Sequence, residues 1–280
     1  MMSTQVLHLN PYQVHYREWG RGQPLLLLHG FFGSGQNWEA LAGLLGDQFH
    51  CFAPDLLGFG QSSKPSLKYT VWHQVDFIRA FVQALGLSHY SVVGHSYGGW
   101  TAAACALHMK DIAHLTLIAP AGIRDDEFVG RYRYMRPLLW QSPWVDWGLR
   151  AIAPVGRWLG QAATVEMLLK VRTALTEQPV ARSFLCDRLR PEDAIDTLEK
   201  DLHHIQVPAL VIAGGEDKVI PLWHCQTFAA GIAKAKYHLL PKAGHDLIQT
   251  HAAVIAEILL ADCDRAVFSE DLAVEVPPEV

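Results

Sequence analysis

The stretch Val92-Val93-Gly94-His95-Ser96-Tyr97-Gly98-Gly99 decides the fold of this 280-residue chain. It matches the pattern Gly-x-Ser-x-Gly, in which a serine lies at a sharp turn between a buried strand and a helix. The apolar run Tyr90–Val93 predicts the strand, and the small residues that follow predict a helix over Tyr97–His108. Residues two before and two after such a serine crowd each other, and both are glycine here. The motif therefore predicts a serine hydroxyl presented at the carboxyl end of a strand.

Short apolar runs recur on both sides of this motif and alternate with helical periodicity. The predicted strands are Pro24–His29, Phe49–Pro54, Tyr90–Val93, Ala113–Ile118, Ala209–Ala213 and Lys236–Leu240, after an opening hairpin over Gln5–Leu9 and Tyr12–Glu18. The other predicted helices are Asn37–Leu45, Val71–Leu85, Trp223–Ala230 and Leu247–Leu260. Strands that are buried on both faces and joined by helices pair in parallel. The pattern therefore predicts an α/β fold with a doubly wound, mostly parallel sheet.

The alternation of strands and helices is interrupted once. From about Gly122 to His204 no buried-strand run appears, and the sequence is helical, aromatic and interrupted by prolines. A segment of this length is too long for a plain loop. We therefore predict a helical cap over residues 123–204, inserted into a core formed by residues 1–122 and 205–265. The acidic end, residues 266–280, is expected to be a loosely held tail.

Composition excludes several classes of protein. A formal net charge of −5 gives no basic surface for nucleic acid. Five cysteines, without a Cys-x-x-Cys pair, indicate buried thiols in a reducing, cytoplasmic compartment. Neither a signal peptide nor an integral membrane segment is expected. Since the sequence shows neither a metal-binding cluster nor a phosphate-binding loop, we predict no metal and no cofactor.

Several motifs, in their usual order, resemble the α/β-hydrolase fold superfamily over most of the chain. The segment around Ser96 resembles its nucleophile elbow. The loop His29-Gly30-Phe31-Phe32-Gly33-Ser34 resembles the oxyanion loop, and Asp55-Leu56-Leu57-Gly58-Phe59-Gly60-Gln61-Ser62 resembles its D-x-x-G-x-G-x-S stretch. Residues 215–221 (GEDKVIP) and 243–246 (AGHD) resemble the loops that carry the acid and the histidine.

The resemblance implies a catalytic triad with Ser96 as nucleophile, His245 as general base and Asp217 as the acid that orients the base. All three follow predicted strands. Because the carboxyl ends of parallel strands meet at one edge of a sheet, they are expected to converge there. The family pattern also implies an oxyanion hole made by the backbone N–H groups of Phe31 and Tyr97.

Other residues compete for these roles. Glu216 lies one step earlier than the expected acid, and its longer side chain would aim differently. Among the histidines, we expect His29 to hold the oxyanion loop by hydrogen bonding and His95 to point away from the nucleophile. His251 is expected on the face of a helix. Asp55 is expected to shape its own loop.

The inserted segment bears on the substrate. Its aromatic residues are explained for the most part by packing within a small helical subdomain, but some can line a pocket above the serine. The residues that we assign to substrate binding are Phe32, Met135, Trp140 and Trp144. They predict a small, moderately hydrophobic ester or acyl substrate.

The leading hypothesis is a serine hydrolase that cleaves a carboxylic ester, and three alternatives stay open. Serine at position 96 departs from the carboxylate nucleophile of haloalkane dehalogenases and epoxide hydrolases, which sets both aside. Carbon–carbon bond hydrolases use serine, but they commonly carry asparagine and tryptophan where this chain has His95 and Asp246. Cofactor-free perhydrolases use the same triad. A ligand-binding or signalling protein on the same scaffold is the alternative outside enzymes.

Overall fold

The computed structural model describes residues 2–46, 48–126, 142–158, 160–161, 164–166, 169, 172–173, 177–186 and 195–270. The strands are β1 (Ser3–Leu9), β2 (Tyr12–Gly20), β3 (Gln23–Leu28), β4 (Phe49–Pro54), β5 (Tyr90–His95), β6 (Ile112–Ile118), β7 (Ala209–Gly214) and β8 (Ala235–Leu240). They form one sheet in the order β1-β2-β4-β3-β5-β6-β7-β8. The β1–β2 and β2–β4 pairs are antiparallel, and the others are parallel. The predicted α/β class with a mostly parallel sheet is confirmed.

The helices whose bounds are described are α1 (Glu39–Leu45), α2 (Val71–Ala84), α3 (Tyr97–His108), α4 (Pro143–Trp158), α5 (Pro179–Cys186), α6 (Leu222–Gly231), α7 (Leu247–Thr250) and α8 (Ala252–Glu270). Short 3₁₀ turns cover Gly35–Trp38 and Leu202–His204. Most predicted elements match within two residues. The predicted helix that begins at Asn37 is one exception, because its first turn is 3₁₀ and only the rest is α-helical.

Two cores lie on opposite faces of the sheet, because neighbouring side chains of a strand point to opposite sides. Leu26 and Leu28 of β3 belong to one core, which also takes side chains from α2, α3 and α6. Leu25 and Leu27 belong to the other, with side chains from α1 and α8. The sheet is therefore covered on both faces, as its continuous apolar strands require.

Three details differ from the sequence expectations. Lys236–Leu240 does not form a strand buried on both faces, because β8 is the last strand of the sheet and four of its six side chains are exposed. The single helix predicted over Leu247–Leu260 is broken at His251, which lies between α7 and α8 and is not on a helix face. Helix α8 continues to Glu270, five residues into the segment predicted as a tail.

The described cysteines match their predicted environment. Cys51, Cys105 and Cys225 are free and buried. Burial raises the pKa of each of these thiols to about 12. They are therefore protonated, unreactive core side chains at neutral pH.

The inserted segment contains α4 and α5 within its described part. Its boundaries at residues 123 and 204 stay a prediction. Helix α5 is attached to the core: Val180 is fully buried, and the Ser183 hydroxyl accepts a hydrogen bond from the Tyr69 N–H at 2.9 Å and donates one to the Leu67 carbonyl at 3.0 Å. Asp196 accepts the Val71 N–H at 2.7 Å. These contacts fix α5 over the carboxyl end of the sheet.

Candidate active site

Ser96 occupies the turn between β5 and α3 with φ 54° and ψ −117°, a backbone conformation that residues other than glycine rarely adopt. The turn is held by its own backbone bonds. The Ser96 N–H donates to the Ile118 carbonyl at 2.9 Å, and the Ser96 carbonyl accepts the N–H groups of Trp100 and Ala121 at 3.1 and 3.0 Å. The strained residue is thus fixed by β6 on one side and α3 on the other.

The two glycines of the motif are required by close backbone approaches. A Cβ at Gly94 would lie 2.2 Å from the Gly98 carbonyl oxygen, and a Cβ at Gly98 would lie 2.0 Å from the Leu28 carbonyl oxygen. No side chain fits in that space. The crowding predicted from the sequence is therefore present, and it also includes β3.

His245 links the serine to a carboxylate. Its Nε2 lies 3.0 Å from Ser96 Oγ, and its Nδ1 lies 2.7 Å from Asp217 Oδ2. Because the ionised carboxylate only accepts hydrogen bonds, Nδ1 carries the proton and the neutral ring presents a lone pair at Nε2 to the hydroxyl. The three residues predicted from separate loops therefore form one continuous hydrogen-bonded chain.

Asp217 is held in its ionised form. Its side chain is only 2% exposed, and Oδ1 accepts the N–H groups of Val219 and Ile220 at 2.8 and 2.9 Å. Burial alone would raise the pKa of Asp217, but the hydrogen bond and charge of His245, together with the two backbone N–H groups, lower it below its ordinary value. The carboxylate therefore stays charged and in position at neutral pH.

The loop after β3 packs against Ser96. A Cβ at Gly30 would lie 3.2 Å from Ser96 Cβ, so the backbone of this loop lies beside the serine. His29 fixes the loop: its Nε2 accepts the Leu56 N–H at 2.9 Å, and its Nδ1 therefore donates to the Gly30 carbonyl at 2.8 Å. Phe32 has a positive φ of 60°. His29 thus has the structural role expected from the sequence.

Sequence reasoning missed the contact that His95 makes. Its ring is buried, and Nε2 donates to the backbone carbonyl of His245 at 2.8 Å. The centroids of the two imidazoles lie 4.9 Å apart. Burial, and then the nearby His245, lower the pKa of His95 to about 3, so the donor is the neutral ring. We therefore regard His95 as a residue that holds the loop carrying His245, a role for which the sequence has no signal.

A cluster of aromatic rings extends from the oxyanion loop to the cap. Phe31 contacts Tyr97 with ring centroids 5.5 Å apart. Phe184 of α5 lies 6.0 Å from Phe31, 5.3 Å from Tyr97 and 5.5 Å from Trp100. Sequence reasoning also missed Phe184, because the segment around it shows only helical periodicity. The cluster forms an apolar wall next to Ser96.

The competing residues lie elsewhere. The Glu216 side chain is exposed, and His251 hydrogen-bonds Thr250 through Nδ1 at 2.9 Å. Asp55 accepts the N–H groups of Gly35 and Gln61, both at 2.7 Å, which is the loop-shaping role expected for it.

The residues assigned to substrate binding have separate outcomes. Phe32 follows Phe31 in the loop after β3, its ring centroid lies 4.9 Å from that of Phe31, and it is 43% exposed. Trp144 is 80% exposed on α4 and lies at the surface instead of in an enclosed pocket. Met135 and Trp140 fall outside the described residues. Substrate binding by all four stays a prediction.

In the described part of the chain, no three His, Cys, Asp or Glu side chains meet in a cluster that could bind a metal ion. None of its helices has the length and apolar character needed to cross a bilayer.

Comparisons with known proteins agree with this geometry. A family model described as "Alpha/beta hydrolase family" matches residues 25–258. A 2-hydroxymuconate semialdehyde hydrolase of Pseudomonas sp. (strain CF600) is 30% identical over 89% of this chain and 91% of its own length. A monoacylglycerol lipase of Bos taurus is 26% identical over 90% of this chain and 79% of its own. Among solved structures, a bacterial membrane phospholipase A superposes with a TM-score of 0.74 at 24% identity, covering 95% of this chain and 86% of that one, and this likeness shows the fold alone.

Proposed function

This chain belongs to the alpha/beta hydrolase family, and from that premise we propose that it is a serine hydrolase that cleaves a carboxylic ester of a moderately hydrophobic small molecule. The observation that carries the proposal is the unbroken chain from Asp217 through His245 to Ser96, with distances of 2.7 and 3.0 Å. Such a chain makes a hydroxyl nucleophilic at neutral pH.

The proposed reaction proceeds through an acyl-enzyme. Ser96 Oγ attacks the substrate carbonyl while its proton moves to His245 Nε2. The resulting imidazolium is stabilised by Asp217 and returns the proton to the leaving alcohol as the tetrahedral intermediate collapses. Water then attacks the acyl-enzyme with His245 again as base, which releases the acid and restores the serine.

The oxyanion of each tetrahedral intermediate is proposed to bind the backbone N–H groups of Phe31 and Tyr97. Two observations support this assignment. The loop that carries Phe31 packs against Ser96 through Gly30, and Tyr97 is the first residue of α3. N–H groups in the first turn of a helix have no acceptor within the helix, and the positive end of the helix dipole lies there.

The apolar wall of Phe31 and Phe184 supports the proposed substrate class. Both rings are half-buried and pack against the core beside the nucleophile, so an acyl or alcohol group at this position would lose water contact on binding. Phe32, 43% exposed in the same loop, would add to this surface. The free, buried cysteines support the further proposal of a cytoplasmic location.

A second candidate is hydrolysis of a carbon–carbon bond. The observation that favours it is the 30% identity to a 2-hydroxymuconate semialdehyde hydrolase over most of both chains. His95 and Asp246 oppose it, because the resemblance leads one to expect asparagine and tryptophan there. The ester reaction is therefore the leading proposal.

A substrate panel separates the two reactions. We expect the purified chain to hydrolyse p-nitrophenyl esters, with kcat/KM rising from acetate to medium-chain acyl groups, and to cleave 2-hydroxy-6-oxo-hexa-2,4-dienoates at least about tenfold less efficiently. Ser96→Ala should lower kcat by about 10⁶ on the best ester. Preferred cleavage of the dienoates would favour the second candidate. Turnover of neither class, by a folded chain, would contradict both.

A further inference from the structure

Helix α4 carries an apolar stripe on one side. The stripe consists of Trp144, Trp147, Ala151, Pro154 and Trp158, hereafter the tryptophan stripe. At 100° per residue, the spacing i, i+3, i+7, i+10, i+14 places all five residues on the same side of the helix. All five are exposed, and the three tryptophans are 80%, 71% and 85% exposed.

The opposite side of α4 is the one that faces the protein. Ala153 is buried, and Val145 and Leu149, eight and four residues before it, are half-buried. An ordinary surface helix turns its polar side outward. Helix α4 is instead apolar on both sides, and an exposed apolar surface of this kind marks an interaction site.

An exposed basic side chain, Arg150, flanks the stripe. Asp146 is bound by the buried guanidinium of Arg172, through Nε at 3.0 Å and Nη2 at 3.1 Å. The hydrogen bonds of Arg172 lower the pKa of Asp146, whose charge is thereby balanced. Arg150 is exposed and lies three residues after Trp147 and four before Pro154, so it flanks the stripe.

We propose that the tryptophan stripe lies in the headgroup layer of a phospholipid membrane, with Arg150 against lipid phosphates. Tryptophan combines an apolar ring with an N–H donor, and it concentrates at the boundary between lipid and water. The guanidinium group matches phosphate geometry. A helix with aromatic residues on one side and a basic flank is the form that lies flat in this layer.

The spacing of the stripe also favours a lipid surface over a second protein chain. Trp144 and Trp158 are 14 residues apart, about 21 Å along the helix, and between Trp147 and Trp158 the stripe contains only the small side chains of Ala151 and Pro154. A protein partner would have to fill these gaps at the packing density of an interior, whereas lipid adapts to them.

Membrane binding does not depend on the proposed reaction. The consequence that the substrate is an ester drawn from the lipid layer does rest on the proposed function.

The test uses the full chain with Ser96→Ala, so that lipid is not consumed, and vesicles of phosphatidylcholine with and without phosphatidylglycerol. We expect the protein to float with the vesicles, more strongly when phosphatidylglycerol is present. Adding Trp147→Gln and Trp158→Gln should lower the bound fraction at least about tenfold. Adding Trp72→Gln, which removes a tryptophan 36% exposed on α2, should leave it unchanged.

Three results would overturn the proposal. The first is no flotation of the Ser96→Ala protein, and the second is equal flotation of the double tryptophan variant. The third is a Ser96→Ala protein that forms a dimer and does not bind lipid, while the double tryptophan variant is a monomer. The last result would assign the stripe to a second copy of the chain. Turnover of a soluble p-nitrophenyl ester by the double variant with Ser96 intact tests the proposed function separately, and we expect it to be unchanged.

Discussion

The turn at Ser96 is tightly packed, whereas helix α4 exposes large apolar side chains. At the turn, each residue is fixed by backbone contacts so close that a single added carbon at Gly98 would approach the Leu28 carbonyl to 2.0 Å. On α4, large apolar side chains extend from the surface with 71–85% of their tryptophan area exposed. The difference indicates that the fold constrains the side chains at the turn but leaves the exposed tryptophans of α4 unconstrained. Substitutions at the turn should therefore remove turnover or stability, and substitutions of the exposed tryptophans on α4 should remove neither.

The largest effect in this set is expected at Asp217. Asp217→Asn should lower kcat by about 10⁴, because an amide no longer selects the His245 tautomer that presents a lone pair to Ser96. Steady-state ester hydrolysis measures the effect. Glu216→Gln, one residue earlier and exposed, is the control, and it should change kcat less than about threefold. A comparable loss in both variants would show that the loop as a whole matters, and not the one carboxylate.

Gly98→Ala should reduce stability sharply. The added methyl group has no space next to the Leu28 carbonyl, and the expected cost is about 3 kcal/mol or more, seen as a Tm lower by about 6–10 °C. Gly43→Ala is the matched control, because a Cβ there meets nothing within 4 Å. Gly43 lies inside α1, so the alanine should raise stability by up to about 1 kcal/mol. Equal Tm values for the two variants would contradict the packing at the turn.

A smaller effect on turnover is expected at His95. His95→Leu leaves the buried carbonyl of His245 without its donor and should lower kcat about tenfold while KM changes little. His95→Gln places an amide N–H near the position of Nε2 and should recover most of the loss. If His95 had only a structural role, the loss would not be confined to kcat, and His95→Gln would not recover it.

His95 also predicts a dependence of stability on pH. Its folded-state pKa of about 3 lies below the ordinary 6.5, so the neutral ring contributes fully to stability above about pH 6.5, and this contribution is lost as the pH falls. The loss is about 1.4 kcal/mol per pH unit. Between pH 7 and 5, the Tm should therefore fall more with decreasing pH for the parent chain than for His95→Gln. An equal fall of Tm with pH in both proteins would contradict the buried, neutral state of the ring.

The smallest effects compare two helices of the inserted segment. Phe184→Ala on α5 removes ring contacts with Phe31, Tyr97 and Trp100, and it should lower stability by about 2 kcal/mol and raise KM for medium-chain esters. Trp147→Ala on α4 should change the Tm by less than about 1 °C, because the side chain is 71% exposed. If Trp147→Ala destabilised the chain as much as Phe184→Ala, the two helices would not differ in the way described.

The elements and residues that could be predicted from the sequence are those with a local signal. The strand runs, the glycines around Ser96 and the loops of Asp217 and His245 each have such a signal, and the parallel sheet brings the loops to one edge. The contact of His95 with the His245 carbonyl joins residues 150 positions apart and has no local pattern. The position of Phe184 likewise depends on how α5 docks.

The remaining differences have physical causes in tertiary context. The apolar character of Lys236–Leu240 does not reveal that β8 is an edge strand, because edge position depends on the order of the whole sheet. Helical periodicity continues through His251, so the break between α7 and α8 is not visible in the pattern. The direction in which the α4 tryptophans face is decided by which side of the helix contacts the protein.

Labelling with a fluorophosphonate tests the central claim most directly, because the probe reacts only with a serine activated as a nucleophile. We expect one covalent adduct per chain by intact mass, located on Ser96 by peptide mapping, and abolished in both Ser96→Ala and His245→Ala. Ester turnover should also be lost in proportion to the fraction of labelled chain as the probe is titrated. An adduct on another serine, or unchanged labelling after His245→Ala, would contradict the account.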